Sequence, residues 1–397
     1  MRSLQLFVPA LSAAILLSAC STGNAGNPIS TVPNMRAPLA HRTVISNVPK
    51  QFLYVANYSS DNVSAYSINT TSGALSAVTG SPFSAGTQPT GVAIAPVNNF
   101  LYTSNEDSNS VSGYSINVSS GALTQVSGSP FAAGGEPEGI AIDKTGTFVY
   151  VANAEAGNIS AYTINPTTGN LTQITGSPFG SEQIPVGLAV TANGKYLYVS
   201  NGGNNGNGSV SGYKINPTSG ALTQVTGSPF TAGYYNDALA LDSQNKFVYT
   251  TDLTGGVDAF SIGAGGVLTA IAGSPFSTGT DPWAVSVSKN NVFAFVGNYS
   301  SNTVSGYTVS PATGALTAVP GSPFSAGTSP RGVVEDNRGK FAYVANYGSS
   351  NVYGYKINPT SGALTGVAGS PFGAGTNAFA LATCRVASLT TCKPPRL

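Results

Sequence analysis

One histidine and three cysteines are all that this 397-residue sequence offers for metal ligation, haem binding or a nucleophile–base pair. His41 precedes the patterned part of the chain, so a Ser-His-Asp arrangement inside a fold has no imidazole to use. The residues left for chemistry are carboxylates, arginines and a single tryptophan, and several recur at regular spacing. One series reads Thr90, Glu138, Val186, Asp237, Trp283, Arg331 and Phe379; another, two residues earlier, reads Gln88, Glu136, Ile184, Tyr235, Asp281, Ser329 and Asn377. Their flanks are nearly constant while they themselves vary from copy to copy, which marks them as released from a shared packing demand. Brought together they make an apolar wall with a few polar groups, the composition of a ligand pocket; the plainer alternative is idle variation in loops.

Ester opening needs a polarised carbonyl and an activated water. Arg331 suits the first task, and Glu138, Glu136, Asp237 or Glu335 suits the second. Glu335 stands in a series otherwise made of Ile94, Ile142, Val190, Leu241, Val287 and Thr383, so a carboxylate replaces an aliphatic side chain. Burial there would raise its pKa unless Arg331, Arg338 or a backbone donor pairs with it; it is either a general base or a paired structural charge. Gln88, Glu136, Tyr235, Asp281, Trp283, Asn377 and Phe379 are the candidate ligand contacts, with Trp283 and Tyr235 suited to the face of a sugar ring. No cofactor and no metal are called for. Calcium at Asp61 or Asp107 would need more carboxylates than one loop supplies. The Gly/Asn-rich run at 201–208 precedes no helix and is an enlarged loop.

The elements that must position these residues are repeats. Gly-Ser-Pro-Phe begins at Gly80, Gly128, Gly176, Gly227, Gly273, Gly321 and Gly369, and a Tyr-Val-Ala-Asn type marker runs in step from Tyr54, Tyr102, Tyr150, Tyr198, Tyr249, Phe295 and Tyr343. Within the second copy four short β-type runs alternate with turn residues: strand A at 91–94, B at 100–104, C at 111–116 and D at 122–126. Four antiparallel strands per repeat predict a propeller blade. The patterned region opens with a strand B at Phe52 and ends with a strand A at 377–383, so the tail strand is placed to complete the first sheet and close a ring of seven blades. The expectation is an all-β, seven-bladed β-propeller. Its D–A and B–C connections share one face, which would be acidic apart from Arg331. The A–B turns share the other, which is richer in lysine.

Composition agrees. Charged residues are 8% against about 25% in an ordinary domain, hydrophobic residues are 41%, and Gly 48 and Pro 25 supply turns. A net charge of +1 without a basic cluster gives no footprint for nucleic acid. At the N-terminus a positive start, an apolar run at 4–17 and Leu17-Ser18-Ala19-Cys20 read as an export signal (1–19). The set Leu17-Ser18-Ala19-Cys20 resembles a bacterial lipobox, which implies that Cys20 is lipidated, with an ordinary signal peptide as the alternative. Residues 20–50 read as a tether, 51–384 as the propeller and 385–397 as a tail. Cys384 and Cys392 are either a disulfide, favoured by an oxidising compartment, or two free thiols.

The Tyr-Val-Ala-Asn marker and the Pro-x-Gly-Val-Ala pattern ahead of the A strands resemble YVTN-type propellers. Residues 51–384 resemble the seven-bladed lactonase family, which includes a bacterial 6-phosphogluconolactonase; the Leu-Ser-Ala-Cys set resembles a bacterial lipobox. The resemblance implies a hydrolase of sugar lactones, in an envelope-anchored form and, from Ser21 after the Cys, at the outer membrane. The family's muconate-lactonising relatives use a His with Arg and Glu, and no His lies in the blades here. Two readings of function stand: a lactone hydrolase working at the channel mouth, or a non-catalytic envelope propeller binding a glycan, peptide or protein there. Either way the protein is expected to be a monomer that meets the membrane only through its lipid.

Overall fold

Short β-favouring runs broken by Gly, Asn and Pro cannot bury both faces alone, and here they do so by stacking sheet on sheet. The computed structural model describes residues 50–203 and 207–385. The segments expected to be a signal and, up to residue 49, a tether, together with Cys20, residues 386–397 and Cys392 with its expected disulfide, lie outside the described residues. Seven sheets form, each a four-strand A-B-C-D path with an additional short strand paired to C. In the second blade these are Pro89–Ile94, Phe100–Asn105, Ser110–Ile116, Leu123–Gln125 and Phe131–Ala132. Blades run in chain order, and the first blade takes its strand A, Ala378–Arg385, from the end of the chain. That strand lies antiparallel to Gln51–Asn57, with Leu53 opposite Thr383 and Gln51 opposite Arg385.

The fifth strand refines the sequence reading, in which D ended at 126 and Gly-Ser-Pro-Phe only led on to the next strand A. The reason is the Gly-Ser-Pro-Phe unit itself. Its glycine takes a positive φ, as at Gly128 (82°). Its serine hydroxyl then accepts the backbone N–H of a residue in the middle of strand C at 2.8–3.0 Å, once per blade. The hydroxyl stands in for a ladder carbonyl while the chain loops out, and the Phe resumes pairing with the start of C, as Phe131 does with Val111.

The core is seven layers rather than one. Each cluster of buried residues joins two neighbouring blades; Phe52, Tyr54 and Val63 pack with Leu101, Tyr114 and Ile116 between the first and second. Leu53, Val55 and Tyr66 pack with Phe341, Tyr343 and Val352 between the seventh and first, so the closing interface is built like the others. The marker tyrosines are bolts across these layers. Each hydroxyl donates to the carbonyl of a glycine in the C–D turn of the next blade: Tyr54 to Gly121, Tyr102 to Gly169, Tyr150 to Gly220, Tyr198 to Gly266, Tyr249 to Gly314 and Tyr343 to Gly73, at 2.6–2.9 Å. Phe295 carries no hydroxyl, so the sixth blade lacks this bond. The strand C tyrosines return a bond to the preceding blade, as Tyr114 does to Ser84 and Tyr66 of the first blade does to Gly373 of the seventh.

The receiving glycine is a fixed requirement. Gly121 has φ +81°, and a Cβ there would come within 2.4 Å of the Phe52 ring. Gly121→Ala is therefore expected to lower stability by about 2–4 kcal/mol, from the positive φ and the forced overlap together. Tyr54→Phe, which removes one buried hydroxyl, should cost about 1–2 kcal/mol. Denaturant unfolding of the two variants checks the order; equal or reversed losses would contradict the bolt geometry.

Candidate functional site

Strand A forms the channel wall, and the top of nearly every strand A is bulged. In the second blade Pro89 pairs with Asn105 and Gly91 with Ser104, leaving Thr90 without a partner across the ladder. The same shift skips Glu138, Val186, Trp283, Arg331 and Phe379. A bulge frees one residue from the ladder and re-aims its side chain. In the fifth blade strand A starts later, at Leu239, and Asp237 just precedes it. In four blades a glycine follows the bulged residue and permits close approach: a Cβ at Gly139 would lie 2.3 Å from the Val186 carbonyl oxygen, and one at Gly332 2.6 Å from that of Phe379. Neighbouring bulges thus seat on one another around the axis.

The result is a cavity of about 220 Å³ lined by the whole first series, Thr90, Glu138, Val186, Asp237, Trp283, Arg331 and Phe379, with the two residues that follow each. Arg331 is its organising group. The guanidinium carbon lies 4.1 Å from the Trp283 ring centroid and 4.1 Å from that of Phe379, with Tyr347 at 5.4 Å and Tyr299 at 6.0 Å. Such contacts hold the cation and leave its in-plane N–H groups to act. Its Nε is buried without a hydrogen-bond partner. Tyr58 stacks on Phe379 at 5.6 Å, and its hydroxyl donates to Gln88 Oε1 at 2.7 Å and to Glu106 Oε1 at 3.4 Å.

Tyr58, Glu106, Tyr299 and Tyr347 did not emerge from the sequence. They occupy one position, the residue after the Tyr-Val-Ala-Asn type marker, where the other blades carry Ala154, Gly202, Leu253. The signal was available: this series varies among the copies just as the two chosen ones do.

The carboxylates are perturbed. Burial pushes Glu138 up to about 8; the charges of Glu106 and Asp237 add to the shift and Arg331 opposes it. Burial lifts Asp237 to about 6, again against Arg331. Glu106 is raised by burial and then by Glu136.

The second series has a different role from the first. Gln88, Glu136, Ile184, Tyr235, Asp281, Ser329 and Asn377 all adopt positive φ, between 47° and 58°. They form the corner where the D–A connection turns into strand A. Their amides are capped from the start of strand C: Gln88 N–H donates to Asp61, Glu136 to Asn109, Ser329 to Asn302 and Asn377 to Ser350. They stand around the cavity rather than in its lining. The Tyr235 ring lies against Gly202. Asp281 accepts from the Ser300 hydroxyl, and Asn377 Nδ2 donates to the Tyr347 carbonyl at 3.0 Å.

Glu335 is not with the others. It lies four residues along strand A from Arg331, roughly 13 Å away at the rise of an extended chain, and does not line the upper cavity. It is buried, as the aliphatic column implied. Its partner is the Ser286 hydroxyl at 2.9 Å, not Arg331 or Arg338, and its other oxygen has none. Burial raises it to about 7, with Ser286 and Lys289 opposing. Among the described residues no cluster of three or more His, Cys, Asp or Glu is placed to hold a metal ion.

A sequence profile described as "Lactonase, 7-bladed beta-propeller" matches residues 76–186, 231–311 and 284–377. The chain belongs to this lactonase family. Solved structures repeat the lactonase propeller. A candidate 6-phosphogluconolactonase of Bacteroides fragilis shares 20% identity with a TM-score of 0.74, covering 85% of this chain and 99% of that one. The periplasmic gluconolactonase PpgL of Pseudomonas aeruginosa shares 20% identity at a TM-score of 0.68, with the same two coverages. The hydrazine synthase of Kuenenia stuttgartiensis also matches, at 17% identity and a TM-score of 0.55, over 77% and 94%. At these identities the likeness is one of fold. No curated protein matches the sequence.

Glu335 generates a stability prediction. Its folded pKa of about 7 lies above the ordinary 4.5, so the folded state binds its proton more tightly. That contribution is complete at low pH and is lost as pH rises through 7, by up to about 3 kcal/mol. Unfolding of Glu335→Gln between pH 5 and 8 should lack this decline; an identical decline in variant and parent would contradict it.

Proposed function

We propose that this lactonase-family propeller hydrolyses a small sugar lactone at the upper channel mouth. The observation that carries the reading is Arg331, packed against the rings of Trp283 and Phe379, on the wall of the same cavity as Glu138 and Asp237. Two carboxyls whose pKa values are pushed apart divide into acid and base. Asp237, at about 6, is mostly ionised at neutral pH and takes the proton of an attacking water. Glu138, at about 8, is mostly protonated and supplies a proton to the departing ring oxygen. The water oxygen bonds to the lactone carbonyl carbon while Arg331 donates to the carbonyl oxygen, where negative charge develops. The ring C–O bond then breaks to give the open hydroxy acid. A cavity of about 220 Å³ is smaller than the roughly 300–1,000 Å³ of sites for drug-sized ligands and suits one ring rather than an oligosaccharide.

The test is the pH dependence of kcat/KM on simple aldonolactones. It should rise as Asp237 ionises near pH 6 and fall as Glu138 loses its proton near pH 8. Glu138→Gln is expected to lose about 100-fold or more and to flatten the alkaline limb; Arg331→Ala should lose about 100- to 1000-fold. Rates equal to spontaneous hydrolysis across all lactones tried would overturn the proposal and leave a binding propeller in its place.

A further inference from the structure

The charge layout of the mouth bears on which lactone enters. Among the residues lining the cavity Arg331 is the only cation, and no lysine joins it. Glu138 and Asp237 share that lining, and Glu106 and Glu136 are near enough to act on Glu138. Trp283 and Phe379, from the two neighbouring blades, each present a ring face to the guanidinium at 4.1 Å, and its Nε has no protein partner. One donor group set among carboxylates matches a single partial charge, such as a carbonyl oxygen. A phosphate ester carries about two negative charges at neutral pH and is normally held by several charge-assisted donors. With Glu138 protonated, a dianion entering here would still meet Asp237, Glu106 and Glu136 with one arginine to offset them.

We propose that the mouth accepts an uncharged sugar-acid lactone and excludes the phosphorylated form of the same ring. This rests on the reading of the mouth as a lactone-opening site and adds the substrate class. It also bears on turnover. Opening a neutral lactone creates a carboxylate product, which the same side chains repel, so the charge that bars the phosphate ester favours product release.

The experiment compares glucono-1,5-lactone with its 6-phosphate, using the full-length protein, by initial rates and by the emission of Trp283, the chain's single tryptophan. The neutral lactone should have a kcat/KM at least about 100-fold higher, in keeping with the cost of bringing like charges together. Added salt should lower KM for the phosphate ester, by screening repulsion, and leave the neutral lactone unaffected. A phosphate ester hydrolysed as well as the neutral ring, or better, overturns the inference while lactone hydrolysis stands. If neither is hydrolysed, the proposed function fails and emission decides the inference: tighter binding of the neutral ring supports it. Equal binding, or none, overturns it.

Discussion

The last strand of the chain is the inner strand of the first sheet. Until Ala378–Arg385 lies beside Gln51–Asn57, the first blade lacks its channel wall and the strand beginning at Gln51 has an open edge. Once it is in place, the layer between the seventh and first blades fills like the other six, and Tyr343 and Tyr66 bond across it to Gly73 and Gly373. Closure also delivers Phe379 to the mouth. That ring is one of the two that lie 4.1 Å from the Arg331 guanidinium carbon, so the site depends directly on the chain's return to its start.

From closure the geometry follows in steps. Seven strand A tops meet around one axis. Bulges there release one side chain from the ladder in every blade but the fifth, and in four blades a following glycine allows the next blade's carbonyl to sit close. The repeat keeps the scaffold nearly invariant, and chemistry is written on the few positions the scaffold does not use. This accounts for a protein with few charged residues that gathers several of them in one place. Aromatic side chains pack against the lone cation, and the surrounding protein lifts two carboxyls by unequal amounts. One ring of positions thereby gathers two carboxyls of unequal acidity and an arginine around one cavity.

The blade count, the ring closure and the first mouth series were legible in the sequence because each is repeated or is a departure from a repeat. Gly-Ser-Pro-Phe was legible as a marker but not as a device, since the serine's bond to strand C requires the chain to loop out in a way that spacing alone does not reveal. The second series was read as ligand contacts. The structure places it at the positive-φ corners around the cavity, outside the lining itself. Glu335 was legible as a buried carboxylate, but its depth was not, because a column on strand A specifies a face and not a distance from the mouth. Tyr58, Glu106, Tyr299 and Tyr347 come from the far end of strand B, and their meeting with strand A tops depends on loop packing that periodicity does not encode.

Hydrogen exchange at the backbone amides of residues 51–57 tests closure most directly. In a closed ring this strand is central, and the amides facing residues 378–385 should be as protected as those facing the third strand at 62–68. If alternate amides along 51–57 exchange at the rate of an open edge strand, the ring is not closed there, and the clamp on Arg331 and the site built around it fall with it.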